Sequence, residues 1–288
     1  MKAGTVALIG RPNVGKSTLV NNLIGQKVAI TSPKPQTTRF PIHGLFEDER
    51  GQIIFVDTPG IFKKATDQVS KKINKKALEP FEKEVNLALY VIDHTRHKDF
   101  EEARVLGIVR KLSMPKIVVV NKIDITEPTF RPQYAFLEDE FDQVIEVSAL
   151  NQTHLKTLLE EIFKHLPERD TPLINASEFV YPALNLNSEM FIAEIIREKV
   201  FLQTRKEVPY TTTVVVDDII ERTPKNTYIK ARVLTTDDKY RKMIIGSGAR
   251  KIKEIGSMAR KELELATNKN IYLDLTVETD RHWPETLG

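Results

Sequence analysis

Apolar residues recur along the chain in two successive patterns. Through about the first 165 residues, short apolar runs alternate with stretches of helical period. Residues 5–9, 42–46, 52–56, 86–93, 116–120 and 144–147 read as strands. Residues 17–24, 66–83 and 100–112 read as helices. So does the run carrying Leu155, Leu158, Leu159, Ile162 and Leu166, with Asn151 as its expected cap. Strands and helices in alternation predict an α/β fold built on a mostly parallel sheet with helices on both faces. Residues 25–44 keep neither period. They are polar and turn-rich, with Pro33, Pro35 and Pro41, and read as a long mobile loop.

Pro167 and Pro172 bracket a polar stretch that breaks the last helix, and the pattern then changes. Residues 188–203 are predicted helical, with Phe191, Ile192, Ile195, Ile196 and Val200 at helical spacing. Residues 211–220 and 228–234 read as strands joined by a turn at Pro224-Lys225-Asn226. A short helix at 237–245, a longer one to about residue 265 and a strand at 271–277 complete the order. The expected division is a first domain over 1–166, a linker over 167–187 and an α+β domain over 188–288.

Composition narrows the classes. A chain of 288 residues suits two domains, and 41% hydrophobic with 29% charged residues is the balance of a soluble globular protein. The longest apolar runs, 87–92 and 117–120, are far below membrane-spanning length. The apolar stretch 6–9 is used by the first strand, so the start lacks the shape of a secretory leader. The absence of cysteine excludes disulfides, thiolate metal sites and Cys nucleophiles, and it fits a reducing, cytoplasmic setting. A net charge of +3 carries no argument for nucleic acid, so such a role has to rest on local clustering.

Between the first strand and the first helix stands Gly10-Arg11-Pro12-Asn13-Val14-Gly15-Lys16-Ser17, followed by Thr18. Two glycines four residues apart, then Lys-Ser, in a strand–loop–helix context, form a phosphate-binding loop. The glycines let backbone N–H groups curl around phosphate, and the helix N-terminus adds free N–H groups and partial positive charge. Lys16 can reach the terminal phosphates and the Ser17 hydroxyl can ligate Mg²⁺.

Two further motifs close buried strands. Asp57-Thr58-Pro59-Gly60 suits a carboxylate that holds Mg²⁺ through water and a Gly60 N–H that senses a γ-phosphate. Asn121-Lys122-Ile123-Asp124 selects the base: a carboxylate accepts from both N1–H and the 2-amino group of guanine, a donor pair adenine lacks. Asn121 would tie loops together, the Lys122 stem would cover the base, and the backbone of Ser148-Ala149 could touch the guanine oxygen.

Residues 10–17, Thr38, 57–60, 121–124 and 148–149 are together similar to the five nucleotide motifs of translation-factor-class GTPases. Arg11-Pro12-Asn13 and Gln36-Thr37-Thr38-Arg39 resemble the Era/TrmE/Der branch. The resemblance implies a Ras-like P-loop GTPase domain that binds GTP and GDP, with Thr38 on Mg²⁺ in the GTP state. Lys16, Thr38 and Gly60 are the expected catalytic set. Ile61 follows Gly60 where many GTPases carry a water-orienting glutamine, and isoleucine has neither donor nor acceptor. Slow hydrolysis by positioning and charge neutralisation is the expectation. In relatives with Asn at this loop position, that side chain helps bind K⁺ beside the β- and γ-phosphates. Asn13 is thus either a K⁺ ligand or a loop-stabilising hydrogen bonder.

In the second half, two predicted helices meet at Gly246-Ser247-Gly248-Ala249, the arrangement with which a KH domain clamps a nucleic-acid backbone. From residue 239 to 261 eight Lys or Arg face one acid, Glu254, while over 177–288 the two signs nearly cancel. Ile245, residues 246–249, Arg250, Lys251 and Lys253 are the expected RNA contacts. The lysine-rich helix at 66–83, by contrast, reads better as a solvated face than as a binding surface. His94 and His97 read as a solvated loop rather than a metal site, and Trp283 as a packing residue.

Residues 193–199, 207–210 and 243–246 resemble the Era family, whose second half is a type II KH domain. That resemblance implies a monomeric assembly GTPase binding the 3′ region of 16S ribosomal RNA in the small (30S) ribosomal subunit. It further implies a cytoplasmic protein with peripheral association with the inner face of the cell membrane. Ser247 and Ala249 depart from the usual Gly-Lys-Gly-Gly loop, and residues 151–154 lack the glycine usual near the base site. Two rival readings stay open. One is a constitutive KH RNA-binding protein with a non-switching GTPase half, which the intact Lys16, Ser17, Asp57 and Asp124 oppose. The other is a tRNA-modification-type GTPase, whose long helical insertion these residues do not suggest.

Overall fold

The computed structural model describes residues 1–34, 37–61, 68–82, 85–175 and 188–286. The chain divides into two compact units, Met1–Asn185 and Leu186–Gly288. In the first, the elements run β1 (Lys2–Ile9), α1 (Lys16–Ile24), β2 (Ile42–Asp48), β3 (Gly51–Asp57), α2 (Gln68–Leu78), β4 (Leu87–Asp93), α3 (Phe100–Lys111), β5 (Lys116–Asn121), α4 (Leu137–Glu140), β6 (Val144–Val147) and α5 (Leu155–His165). The sheet order is β2-β3-β1-β4-β5-β6, with β2 antiparallel at one edge and every other pairing parallel.

Burial on both faces explains the continuous apolar runs of the inner strands. All seven residues of β4 are buried. Tyr90 and Ile92 join Ile9, Val118 and Val120 against Val105, Leu106 and Val109 of α3. Leu158 and Ile162 of α5 are wholly buried, and Phe163 packs on Phe46 of β2 with ring centroids 6.2 Å apart. Such a parallel sheet delivers the C-terminal ends of β1, β3, β4 and β5 to one edge, where loops can share a ligand.

Three local expectations change. The described parts of the loop after α1 are pinned rather than free. The Asn21 side chain accepts from Val28 and Ala29 N–H groups, both at 2.9 Å, and donates to the Ala29 carbonyl at 2.8 Å. Gln36 lies outside the described residues. Asn151 does not cap α5, whose cap position is His154 in a left-handed conformation with no side-chain bond. Asn151 instead donates its backbone N–H to Ser148 Oγ at 3.0 Å, because the chain turns tightly before the helix begins. Residues 167–174 run past the starts of β1 and β3: Ala3 N–H donates to the Pro167 carbonyl at 3.0 Å, and Gln52 bonds the backbone of Ile174 in both directions.

The second unit runs α6 (Ser188–Gln203), β7 (Thr212–Thr223), β8 (Asn226–Thr235), α7 (Asp238–Ile245), α8 (Arg250–Thr267), β9 (Asn270–Thr279) and α9 (Trp283–Thr286). Its sheet is β7-β8-β9, antiparallel then parallel. The parallel β8–β9 pair needs a crossover, and α7 and α8 supply it. Ile229, Ala231 and Val233 of β8 are buried, as are Ile195 and Ile196 of α6 and Ile255, Ala259 and Leu263 of α8. Trp283 is buried and donates its indole N–H to the Thr211 carbonyl at 3.0 Å, as a packing residue should. Among the described residues no helix is long and apolar enough to cross a membrane.

Candidate nucleotide site and nucleic-acid interface

The phosphate loop joins β1 to α1. Gly15, at the head of α1, has φ 100°, and a Cβ there would lie 2.2 Å from Asn121 Nδ2. Only glycine meets both demands. Lys16 is 6% exposed, and its Nζ donates to the carbonyls of Gly10 at 3.1 Å and Arg11 at 3.0 Å. Burial lowers its pKa to about 8, with Asp57 pulling the other way.

Ser17, Thr38 and Asp57 meet although they come from α1, the following loop and the end of β3. Ser17 Oγ donates to Asp57 Oδ2 at 2.6 Å and lies 3.1 Å from Thr38 Oγ1, which in turn reaches Asp57 Oδ2 at 3.3 Å. Asp57 is fully buried, its Oδ1 has no hydrogen-bond partner among the described residues, and burial raises its pKa. Three hard oxygen donors with one buried carboxylate oxygen to spare fit a small divalent cation such as Mg²⁺. Thr58 turns its hydroxyl to the Leu8 carbonyl at 2.5 Å, and Gly60 abuts Pro12. The Ile61 N–H donates to the Gly10 carbonyl at 3.3 Å, while its side chain is buried in the core with Ile9 and Tyr90. Asn13, at φ 64°, donates Nδ2 to the Pro33 carbonyl at 2.8 Å.

At the base end, Asn121 bridges Val14 and Ala149. Ser148 Oγ donates to Asp124 Oδ1 at 2.5 Å and orients that carboxylate. Lys122 stands at φ 71° with Nζ 2.6 Å from Asp93 Oδ2. The Asp93 pKa stays low: burial would raise it, but hydrogen bonds from Lys122 and Thr95 outweigh that. Val14 is buried, and Thr18 lies within α1.

Some contacts had no signal in the linear pattern. His94 is not solvated: it is buried, with Nε2 3.0 Å from the Lys122 carbonyl and Nδ1 3.1 Å from Thr129 Oγ1. His97 packs at a tilt on Phe130, with ring centroids 4.0 Å apart and planes at 34°. Among the described residues no cluster of three His, Asp or Glu could hold a metal. The Arg11 guanidinium is wholly buried against Glu102 and Asp99, so only its backbone is left for phosphate. Of the lysine-rich helix, Lys75 is exposed, and residues 62–67 and 83–84 lie outside the described set.

In the second unit, Gly246 takes φ 73° and ψ 171°, a region open essentially to glycine alone, and a Cβ there would lie 2.8 Å from Lys251 Cβ. Gly248 and Ala249 are also left-handed, at φ 58° and 59°. Ser247 and Gly248 are exposed, Ile245 is half-buried, and α8 starts directly behind the loop with free N–H groups. The surrounding charge is partly spent. Arg241 and Lys242 both reach Asp238, at 2.7 and 3.2 Å, and Arg250 Nε lies 3.4 Å from the Ser247 carbonyl. Among the described residues Arg250, Lys251 and Lys253 form no ion pair, which leaves them for a phosphate backbone.

The family described as 50S ribosome-binding GTPase matches residues 5–122, and the KH domain family matches 195–284. GTPase Era of Halothermothrix orenii is 40% identical over 289 residues, covering 100% of this chain and 96% of the relative. GTPase Era of Trichlorobacter lovleyi is 38% identical, over 99% and 94%. Among solved structures, Aquifex aeolicus Era bound to GDP·AlF4⁻ superposes with TM-score 0.88 at 35% identity, over 99% of this chain and 96% of that one. Era in complex with MgGDPNP and nucleotides 1506–1542 of 16S ribosomal RNA gives TM-score 0.89 at 34% identity, over 99% and 95%. With that likeness along its whole length, the chain belongs to the Era family of GTPases, a Ras-like GTPase domain followed by a KH domain.

Proposed function

We propose that this chain is a GTP-driven switch whose nucleotide state governs binding of 16S ribosomal RNA by the KH unit during assembly of the small ribosomal subunit. The observation that carries the reading is the meeting of Thr38 with Ser17 and Asp57. With GTP bound, Thr38 would also ligate the cation beside the γ-phosphate, and loss of that phosphate on hydrolysis would remove this tie. Ser17, Thr38 and Asp57 would hold Mg²⁺, which when bound neutralises charge on the β- and γ-phosphates. Lys16 binds the terminal phosphates, the Gly60 N–H senses the γ-phosphate, and Asp124 selects guanine.

The buried Ile61 supplies no group to orient water, so hydrolysis rests on positioning and charge and is slow. Asn13 uses Nδ2 on Pro33, which leaves Oδ1 for K⁺ beside the phosphates. For the RNA half, support comes from the likeness to the Era solved with a 16S fragment and from Lys251 and Lys253, which with Arg250 form no ion pair among the described residues and lie beside residues 246–249.

The test is titration of an RNA spanning the corresponding 3′ segment of 16S ribosomal RNA against the chain loaded with GDP or a non-hydrolysable GTP analogue. The expected result is several-fold tighter binding in the triphosphate state. Equal affinities would defeat the switch, and no binding in either state would defeat the RNA reading.

A further inference from the structure

Arg11 follows the first glycine of the phosphate loop, yet its side chain is 0% exposed and committed outside the loop. Nε lies 2.6 Å from Glu102 Oε2, a close ion pair without the alignment of a hydrogen bond. Nη1 meets Asp99 Oδ1 at 3.1 Å and the His97 carbonyl at 3.2 Å, and Nη2 donates to the Tyr134 hydroxyl at 3.3 Å. Tyr134 donates onward to the Arg96 carbonyl at 3.1 Å, and Arg96 Nη1 donates to the Pro12 carbonyl at 2.9 Å. The path leaves the loop at residue 11 and returns at residue 12. Glu102 is fixed in turn by the Tyr90 hydroxyl at 2.6 Å on Oε1.

A buried ion pair is a poor source of stability, because the desolvation of both charges offsets most of their attraction. What it supplies is a fixed geometry. The peptides it fixes matter for chemistry at the γ-phosphate. The carbonyls of Gly10 and Arg11 hold Lys16, the Gly10 carbonyl also takes the Ile61 N–H, and Gly60 abuts Pro12. The base-binding residues are tied to Val14 instead, through Asn121.

We propose that Glu102, acting through Arg11, and Tyr134 with Arg96, acting on Pro12, brace residues 10–12 from outside the phosphate loop and thereby position Lys16 and the Gly60 turn for GTP hydrolysis. These are positioning residues, and the inference rests on the reading of this site as a hydrolysing one. It separates two halves of the ligand: the brace serves the γ-phosphate, and guanine recognition does not depend on it.

Tyr134→Phe removes one hydroxyl and leaves no charge unpaired. Its kcat should fall at least about tenfold, since a displacement of about 1 Å away from the chemistry can cost about 10²-fold, with GDP affinity nearly unchanged and Tm lowered by only a few degrees for the buried Arg11 N–H left without its acceptor. Glu102→Gln leaves the buried guanidinium with Asp99 as its remaining carboxylate partner and should lower Tm as well. The paired replacement Arg11→Met with Glu102→Leu removes both charges and should regain that stability, while kcat stays low. Recovery of kcat together with Tm would mean the pair only holds the fold, and would overturn the proposal. So would GDP affinity falling in step with turnover, or full turnover in Tyr134→Phe. The unsubstituted chain is the control: absence of GTP turnover there defeats the hydrolysis reading itself, whereas normal turnover in the variants defeats the brace alone.

Discussion

Asn121 donates through Nδ2 to the carbonyl of Val14 at 2.8 Å, across 107 residues of chain. Its Oδ1 accepts from the Ala149 N–H at 2.9 Å. One carboxamide therefore joins the end of β5 to the phosphate loop and to the loop after β6. Both partners are buried, and a backbone group that loses a hydrogen-bond partner in such a place costs about 1–3 kcal/mol. Asn121→Ala should lower Tm by several degrees and weaken GDP binding by at least about tenfold. Thermal melting and titration with a fluorescent GDP analogue measure the two effects. An unchanged affinity beside a lowered Tm would show that the tie serves the fold and not the site.

The next carboxylate, Asp124, is the one proposed to select the base. Asp124 is held by Ser148 Oγ at 2.5 Å, which leaves Oδ2 and the rest of Oδ1 to accept from a base. Guanine presents donors at N1 and the 2-amino group. Xanthine replaces that amino group with a carbonyl, which needs a donor. Asp124→Asn provides one, so it should lose guanine nucleotides by about 2–3 kcal/mol and gain xanthine nucleotides. Competition between GDP and XDP for the variant reads the exchange directly. Retained preference for GDP would remove Asp124 from the base site.

How much of this was legible beforehand follows from chain distance. The phosphate loop, Asp57-Thr58-Pro59-Gly60, Asn121-Lys122-Ile123-Asp124 and the Gly-rich turn at 246–249 are each contiguous, and their chemistry lies in neighbouring residues. The Ras-like fold and the KH order are equally local, since they rest on periodicity. The contacts that hold these loops together are not local. Arg11 meets Glu102 only because β1 and β4 are neighbours in the sheet, and nothing in either segment alone announces the pair. His94 is polar and lies after a strand, which reads as solvated, but the turn carrying Lys122 and Thr129 closes over it. Asp238 likewise lies one position outside the basic stretch 239–261 and reaches back to Arg241 and Lys242, two of its eight cations, a pairing that only the helix turn creates.

Asn13 gives the K⁺ proposal a defined form. With Nδ2 on the Pro33 carbonyl, the side chain links the phosphate loop to the loop that carries Thr38. A K⁺ on Oδ1 would add positive charge beside the β- and γ-phosphates, the place where an arginine finger acts in other GTPases. Replacing K⁺ by Na⁺ at constant ionic strength should therefore lower kcat at least about tenfold. Asn13→Ala should be slow in both salts. An unchanged kcat in Na⁺ would leave Asn13 with the Pro33 bond alone.

The KH loop yields a prediction of opposite sign at its two ends. Ala249 heads α8 at φ 59°, a left-handed conformation that costs an L-residue about 1–2 kcal/mol. Glycine relieves that strain but gives back about 0.4–1 kcal/mol through the greater freedom of the unfolded chain. Ala249→Gly should thus stabilise the second unit by about 0.5 kcal/mol, or about 2–4 °C in Tm. It also removes a methyl group where an RNA backbone is proposed to approach, so RNA should bind more tightly. Gly246→Ala reverses both effects. Its φ of 73° with ψ 171° excludes alanine, and the new Cβ would lie 2.8 Å from Lys251 Cβ, an atom fixed to the helix backbone and unable to swing aside. Loss of more than about 1 kcal/mol of stability and of RNA affinity is expected there, while GDP affinity is unchanged. Thermal melts with RNA titrations on both variants decide the matter. An Ala249→Gly protein that melts lower, or an RNA affinity indifferent to both changes, would move the RNA contact away from this turn.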